Sequence, residues 1–310
     1  PDGGAPTRRI AVALVQGGGR RGTSAIEVPP AGVLEAQLDA SRPLEGRQDP
    51  PALVVWPEDV IAVGRSLAGS GPAATMAALA RTLGTTVVAG VTEDVSSSAF
   101  RNEAVVWGAS GRVLGTYEKV HRVPFGEYVP DRAFFAHLAS LTAVPLDAIP
   151  GHASGALATP AVRIGVMLSY EVFFATRGRS AVRAGARLLV VPTNTSSYAT
   201  SQVPAMEVAA DRVQAVAEGR ALVQAAPTGY SSVVSPTGAV LERSVLGRRE
   251  VLRATVGLRS GRTVYEMVGD LPVLGIAGLV LLLALAGAAL ECRRRLGAGG
   301  EERGAGGPGA

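Results

Sequence analysis

Cysteine is nearly absent from this 310-residue sequence: Cys292 is the only one. A single thiol closes no internal disulfide framework, so the fold must be held by its core, and the redox compartment is left open. Charge is sparse as well. Charged residues make up 18% against 47% hydrophobic, and the net charge of +4 comes from arginines scattered through periodic segments, not from a basic block. Nucleic acid is therefore not the expected partner. His121, His137 and His152 are the only histidines, and their spacing suggests no metal site. One cofactor motif is formally present, Gly17-Gly-Gly-Arg-Arg-Gly22 after an apolar run, with Asp39 at the distance of a ribose-binding acid. That fingerprint needs a helix to open at its last glycine, and here the following residues end in Pro29-Pro30. Neither a nucleotide site nor any cofactor is assigned.

What the sequence has in excess is apolar residues, concentrated toward one end, so the composition reads as a globular domain with an attachment. Residues 271–290 carry no charge, and twenty residues at about 1.5 Å each span roughly 30 Å, the thickness of a hydrocarbon core. The alternative is a buried core helix, but buried helices rarely run so long without a polar residue. Arg293-Arg-Arg295 follows the apolar run, whereas Glu266 and Asp270 precede it. The positive-inside rule then predicts a cytoplasmic C-terminus and an extracytoplasmic globular domain, attached to the cell membrane. Gly275, Gly278 and Gly287 would let further helices approach closely. The chain starts at Pro1 with no charged-then-apolar leader before the first strand, and the expectation is a C-terminal piece of a longer protein. The predicted organisation is a linker at 1–7, a domain at 8–268, a transmembrane helix at 269–292 and a disordered Gly-rich cytoplasmic tail at 293–310.

Within the domain, residues 8–16, 52–56, 85–91, 162–168, 187–192, 222–226, 231–235 and 251–256 read as strands. Residues 100–109 and 112–117 flank Ser110-Gly111 as a hairpin. Helices are predicted at 32–40, 71–83, 177–186 and 206–221, the last with apolar positions at helical spacing, and Phe134, Phe135 and Leu138 suit a short amphipathic helix. Strands alternating with helices before an antiparallel finish predict an α/β fold.

Three segments carry candidate chemistry. The apolar run Ile164-Gly-Val-Met-Leu-Ser-Tyr-Glu-Val-Phe-Phe174 is interrupted by Ser169-Tyr170-Glu171, Leu53-Val-Val-Trp-Pro-Glu58 ends in a carboxylate, and Lys119 lies in Gly115-Thr-Tyr-Glu-Lys-Val-His-Arg-Val-Pro-Phe-Gly-Glu-Tyr-Val-Pro130. A small nucleophile, a carboxylate and a cation at strand ends make a set suited to covalent catalysis. Glu58 would be the general base beside the nucleophile, its pKa raised in a dehydrated site, and Lys119 a fixed cation facing a developing oxyanion. Against this stands a purely structural Glu58–Lys119 ion pair. His121 reads as a residue that holds its loop through a hydrogen bond, the other reading being a base.

In order and separation these segments resemble the nitrilase superfamily, and Lys119-Val-His-Arg-Val-Pro-Phe-Gly-Glu-Tyr-Val-Pro130 is similar to the signature of one branch, the apolipoprotein N-acyltransferases. The resemblance implies two sheets face to face with helices outside, a nitrilase-like α-β-β-α sandwich, followed here by a C-terminal transmembrane helix. It implies a Glu, Lys, Cys triad falling on Glu58, Lys119 and the position of Ser169. It also implies Glu127 as a positioning carboxylate, Tyr170 and Glu171 as neighbours shaping the pocket, and Tyr198 as an aromatic contact to an acyl chain. The implied reaction is ping-pong: a phospholipid acyl donor acylates the enzyme, and the N-terminal amine of a diacylated apolipoprotein takes the acyl group. No cofactor or metal takes part.

Serine at position 169 departs from the family's cysteine. A serine hydroxyl needs a base in the transition state, whereas part of a thiol is already ionised. Three readings follow: an introduced Cys→Ser change, a natural serine variant activated by Glu58, or an inactive member that binds lipid or lipoprotein. A carbon-nitrogen hydrolase of another branch, an amidase, is the other enzymatic reading; those enzymes are typically soluble, and this chain has an apolar span.

Overall fold

The computed structural model describes residues 2–19, 29–138, 140–142, 144–198 and 200–301. Part of the glycine-rich run, the stretch after it up to residue 28, and the tail beyond Glu301 lie outside the described residues. In chain order the elements are β1 (Arg8–Gln16), α1 (Pro30–Ser41), β2 (Leu53–Val55), β3 (Ile61–Val63), α2 (Gly71–Leu83), β4 (Thr86–Asp94), β5 (Ala99–Trp107), β6 (Val113–Glu118), α3 (Arg132–Phe135), β7 (Asp147–Ala148), β8 (Ala156–Ala158), β9 (Arg163–Val166), α4 (Ala175–Arg183), β10 (Leu188–Pro192), α5 (Val203–Glu218), β11 (Ala221–Ala225), β12 (Ser232–Val234), β13 (Val240–Arg243), β14 (Glu250–Leu258), α6 (Val264–Val268) and α7 (Leu271–Glu301).

The strands form two sheets. One runs β14-β1-β2-β4-β5-β6, with β3 added to β4 and β7 to β5; the other runs β13-β12-β11-β10-β9-β8. The middle of each sheet is parallel (β1, β2 and β4; β9, β10 and β11), and both are finished by antiparallel strands. Side chains alternate along each strand, so a strand covered on both faces must be apolar throughout. Ile10, Val12 and Leu14 of β1, with Leu53 and Val55 of β2, meet Ile164, Val166, Leu188 and Val190 from the other sheet in one core. Ala13, Val15 and Val54 point the other way, onto Val33 and Ala40 of α1 and Met76, Leu79 and Leu83 of α2. Leu189 and Val191 of β10 do the same toward Val182 of α4 and Ala215 of α5. Three apolar layers therefore separate four structural ones, the nitrilase-like α-β-β-α arrangement.

Local signals account for the element ends. Helix α2 starts where Ser70 Oγ accepts from the Ala73 amide at 3.1 Å, with Pro72 in its first turn, and stops at Gly84, whose φ of 64° is left-handed. Helix α5 departs from the sequence pattern. Its apolar Met206, Val213 and Val216 are 53%, 68% and 52% exposed, while Glu207, Asp211, Gln214 and Glu218 are buried. The buried stripe is polar because Gln214 Nε2 donates to the carbonyls of Val172 and Phe174 (2.9 and 3.1 Å), and Glu207 meets Ser169 and Thr193.

Residues 267–310 form a separate unit from residues 1–266. Within it, Leu271–Glu291 has a mean hydropathy of 2.6 with none of it buried, which is long and apolar enough to cross a membrane. The helix continues to Glu301.

Candidate active site

The site forms where the chain leaves the carboxyl ends of strands in both sheets, where parallel strands commonly present ligand-binding groups. After β2 comes Trp56-Pro57-Glu58-Asp59. The Gly90 amide donates to the Pro57 carbonyl at 2.9 Å, and Asp59 turns the chain with φ 53°. This segment lies so close to β4 that a Cβ on Gly90 would stand 2.3 Å from Glu58 Cα. After β6, the Lys119 amide donates to the Asn102 carbonyl at 2.9 Å. After β9, Ser169 takes φ 45°, a left-handed conformation that a non-glycine residue holds only when its surroundings enforce it.

Lys119 is buried, and it is the one lysine in the sequence. Its Nζ donates to Glu58 Oε1 at 2.8 Å and Glu127 Oε1 at 2.7 Å. Asn102 Nδ2 donates to the same two oxygens, both at 2.9 Å, and Glu127 Oε2 accepts from the Val123 amide at 2.8 Å. Two carboxylates thus share one ammonium. Burial pulls the Lys119 pKa down, but the carboxylates outweigh it and hold the amine above its ordinary value as a permanent cation. Burial, aided by the charge of Glu127, pushes Glu58 up to about 7 against the pull of Lys119.

Glu171 is fully buried behind this cluster. It accepts from Tyr117 Oη at 2.9 and 2.8 Å, from the amides of Val120 (2.8 Å) and His121 (3.0 Å), and from the Leu168 amide (2.8 Å). One carboxylate therefore ties the strand end that carries Lys119 to the one that carries Ser169. It does not line the cavity, whereas Tyr170 does. The His121 ring stacks on Phe174 with centroids 3.9 Å apart, and it is the backbone amide of His121 that holds the loop to Glu171.

The Ser169 hydroxyl donates to Glu207 Oε1 at 2.9 Å. Thr193 Oγ1 donates to Glu207 Oε2 at 2.6 Å, and burial raises the Glu207 pKa against those two bonds. Glu207 was not among the residues expected from the sequence. The signals were a carboxylate at a buried helix position one turn before Asp211, and a lone lysine marking where acids converge. Glu58, Lys119, Glu127, Ser169 and Glu207 all line one cavity of ≈ 490 Å³, whose apolar wall includes Phe100, Val123, Tyr170, Phe173, Val203 and Met206. Tyr198, 47% exposed, stands at its rim. No group of His, Cys, Asp and Glu suited to a metal ion occurs among the described residues.

Residues 36–265 match the sequence model of the family described as carbon-nitrogen hydrolase. The chain belongs to the carbon-nitrogen hydrolase family. Among its relatives in this family are proteins named apolipoprotein N-acyltransferase. The one from Geobacter metallireducens is 32% identical over 92% of this chain and 55% of its own length. The one from Mycolicibacterium smegmatis is 29% identical over 77% of this chain and 41% of its own. The chain thus spans about half the length of these relatives. Solved structures with the same fold include Nit3 of Saccharomyces cerevisiae, a member of branch 10 of the nitrilase superfamily (TM-score 0.60, 20% identity, 81% of this chain and 91% of that one). An amidase from Nesterenkonia sp. gives a TM-score of 0.59 at 20% identity over 87% of this chain and 97% of that one. In this chain the acids, the lysine and Ser169 meet at one cavity, with an acid on α5 added to them.

Proposed function

We propose that this carbon-nitrogen hydrolase chain is the catalytic domain of a membrane-anchored apolipoprotein N-acyltransferase, working through an acyl-enzyme on Ser169. The observation that carries the reading is the single cavity in which a buried Lys119–Glu58–Glu127 cluster and Ser169 face an apolar wall. The names of relatives aligned with most of the chain support the acyl-transfer direction, and the apolar helix at Leu271–Glu291 suits a lipid substrate.

In the first half-reaction Ser169 Oγ bonds to the acyl carbon of a phospholipid ester, the ester C–O bond breaks, and the lysophospholipid leaves with a proton. In the second, the α-amine of a diacylglyceryl-cysteine bonds to the same carbon, the Ser169 ester breaks, and the amine proton returns to the serine. The Lys119 cation is buried and fixed, so it stabilises the oxyanion of each tetrahedral intermediate without having to reorganise. Glu58, with a pKa near 7, is suited to take a proton from the incoming amine. Glu127 and Asn102 keep Glu58 and Lys119 in register. The wall around Tyr170, Phe173 and Met206 would take the acyl chain, with Tyr198 at the entrance. Arg293-Arg-Arg295 after the span, against Glu266 and Asp270 before it, favours an extracytoplasmic domain and a cytoplasmic C-terminus.

The test is conversion of a diacylated lipopeptide to its triacylated form by the full-length protein in phospholipid vesicles, with release of lysophospholipid. The expected product appears with the native protein and not with Ser169→Ala. Ammonia release from simple amides without any lipopeptide acylation would replace this reading with an amidase.

A further inference from the structure

We propose that Glu207 is the general base for Ser169, so that nucleophile activation belongs to a Ser169–Glu207 dyad and not to Glu58. This rests on the acyl-enzyme reading above and assigns one of its steps.

The geometry separates the two carboxylates. Glu58 Oε1 is occupied by Lys119 Nζ and Asn102 Nδ2, and the Ser169 hydroxyl bonds to Glu207 instead. Glu207 Oε1 already accepts the Ser169 hydroxyl at 2.9 Å, within the range for direct transfer. Thr193 holds its other oxygen, which fixes the carboxylate plane toward the serine. Glu207 is 2% exposed yet lines the cavity, so substrate entering there would seal it from water. One turn along α5, Asp211 is fully buried with Oδ1 unpartnered among the described residues and only a 3.4 Å bond from Ser232 Oγ to Oδ2. Burial first, and then the Glu207 charge, push Asp211 well above its ordinary value. Glu207 is the member of this acid pair that touches the nucleophile, and Lys119 is the cation that acts on it. Ser169 and its carboxylate thus form a self-contained pair: a hydroxyl needs such a base, whereas a thiol, already partly ionised, does not.

In the step itself the Ser169 Oγ–acyl bond forms as the hydroxyl proton moves to Glu207 Oε1. The ester C–O bond of the donor breaks, and the proton is passed on to the departing alkoxide, which restores the carboxylate.

The experiment measures acyl-enzyme formation from phospholipid by quenched intact mass on the full-length protein, in the native form and as Glu207→Gln, Ser169→Ala, Ser169→Cys and Ser169→Cys/Glu207→Gln. Glutamine keeps an acceptor for the hydroxyl but cannot take its proton. The expected result is a loss of about 100-fold or more for Glu207→Gln, the usual share of a general base, no acylation of Ser169→Ala, and a much smaller effect of Glu207→Gln in the cysteine background. An equal loss in both backgrounds marks Glu207 as structural and overturns the dyad. Glu207→Gln within about threefold of native, with Ser169→Ala inactive, overturns the dyad and leaves the acyl-enzyme reading standing. Acylation of Ser169→Ala overturns both. Should Glu207→Gln fail to fold, Glu207→Asp, which withdraws the carboxylate by one methylene, takes its place with the same outcomes.

Discussion

Gly90→Ala is a one-methyl change outside the cavity wall that should nevertheless disable the site. A Cβ at this position would lie 2.3 Å from Glu58 Cα, 2.6 Å from the Pro57 carbonyl oxygen and 2.7 Å from the Asp59 amide. All three are backbone atoms, so no flexible side chain can swing aside. Carbon pairs sit comfortably at about 3.5–4.0 Å, which leaves the methyl more than about 1 Å too close to Glu58. Either β4 or the Glu58 segment must move. Strand β4 is hydrogen-bonded on both sides, to β2 and β5, so the segment is the weaker partner. Overpacking of this kind costs about 1–3 kcal/mol, and displacing a reacting group by about 1 Å costs on the order of 100-fold in rate. The expected outcome is a folded protein about 1–3 kcal/mol less stable in urea titration, with acyl transfer to a diacylated lipopeptide reduced about 100-fold. Native stability together with native activity would refute the claim that this close approach fixes Glu58.

Other substitutions test separate parts of the site. Lys119→Met leaves Glu58 and Glu127 facing each other without a cation, and removing one partner of a buried ion pair costs about 3–5 kcal/mol; urea unfolding checks this, with activity lost. Glu171→Gln puts an amide donor among the donors of Tyr117, Val120, His121 and Leu168 and should destabilise by about 2–3 kcal/mol, read by thermal melting alongside activity. Tyr198→Ala should leave stability unchanged and raise KM for the acyl donor more than it lowers kcat, because the ring is half exposed at the rim. Glu58 has a folded pKa raised from 4.5 to about 7, so the folded state holds a proton that the unfolded chain has released. Its contribution to stability is present below about 4.5 and lost as pH rises through about 7. Glu207 and Asp211 act in the same direction, so Glu58→Gln should flatten, but not abolish, the fall in urea stability across that window.

The α/β pattern was legible in the sequence because its central strands are covered on both faces and read as apolar runs, as in Arg8–Gln16 and Leu188–Pro192; the face-to-face sandwich came from the family resemblance. The start of α2 was legible from Gly71-Pro72, with Pro in the first turn. Four short strands were not: β3, β7 and β8 are too short to show a period, and β13, Val240–Arg243, is exposed throughout. The expected strand at 231–235 is therefore followed by β13, paired with β12, and not directly by the last long strand. At the site, Glu58, Lys119, Glu127 and Ser169 were found by motif order, and the structure brings them to one cavity. Asn102 and Glu207 were missed for physical reasons. Asn102 sits between Arg101 and Glu103 at the polar start of a strand, where nothing sets it apart from its charged neighbours, and Glu207 lies on a helix whose exposed valines mimic a core face, so periodicity pointed inward along the wrong side.

The central claim, covalent acyl transfer through Ser169, is tested most directly by peptide mass spectrometry of the full-length protein quenched after mixing with phospholipid and no acceptor. The account predicts a fatty acyl ester on the peptide containing Ser169, lost on addition of a diacylated lipopeptide and absent from Ser169→Ala. An acyl group on any other residue, or no acyl-enzyme from either the serine protein or Ser169→Cys, would contradict it.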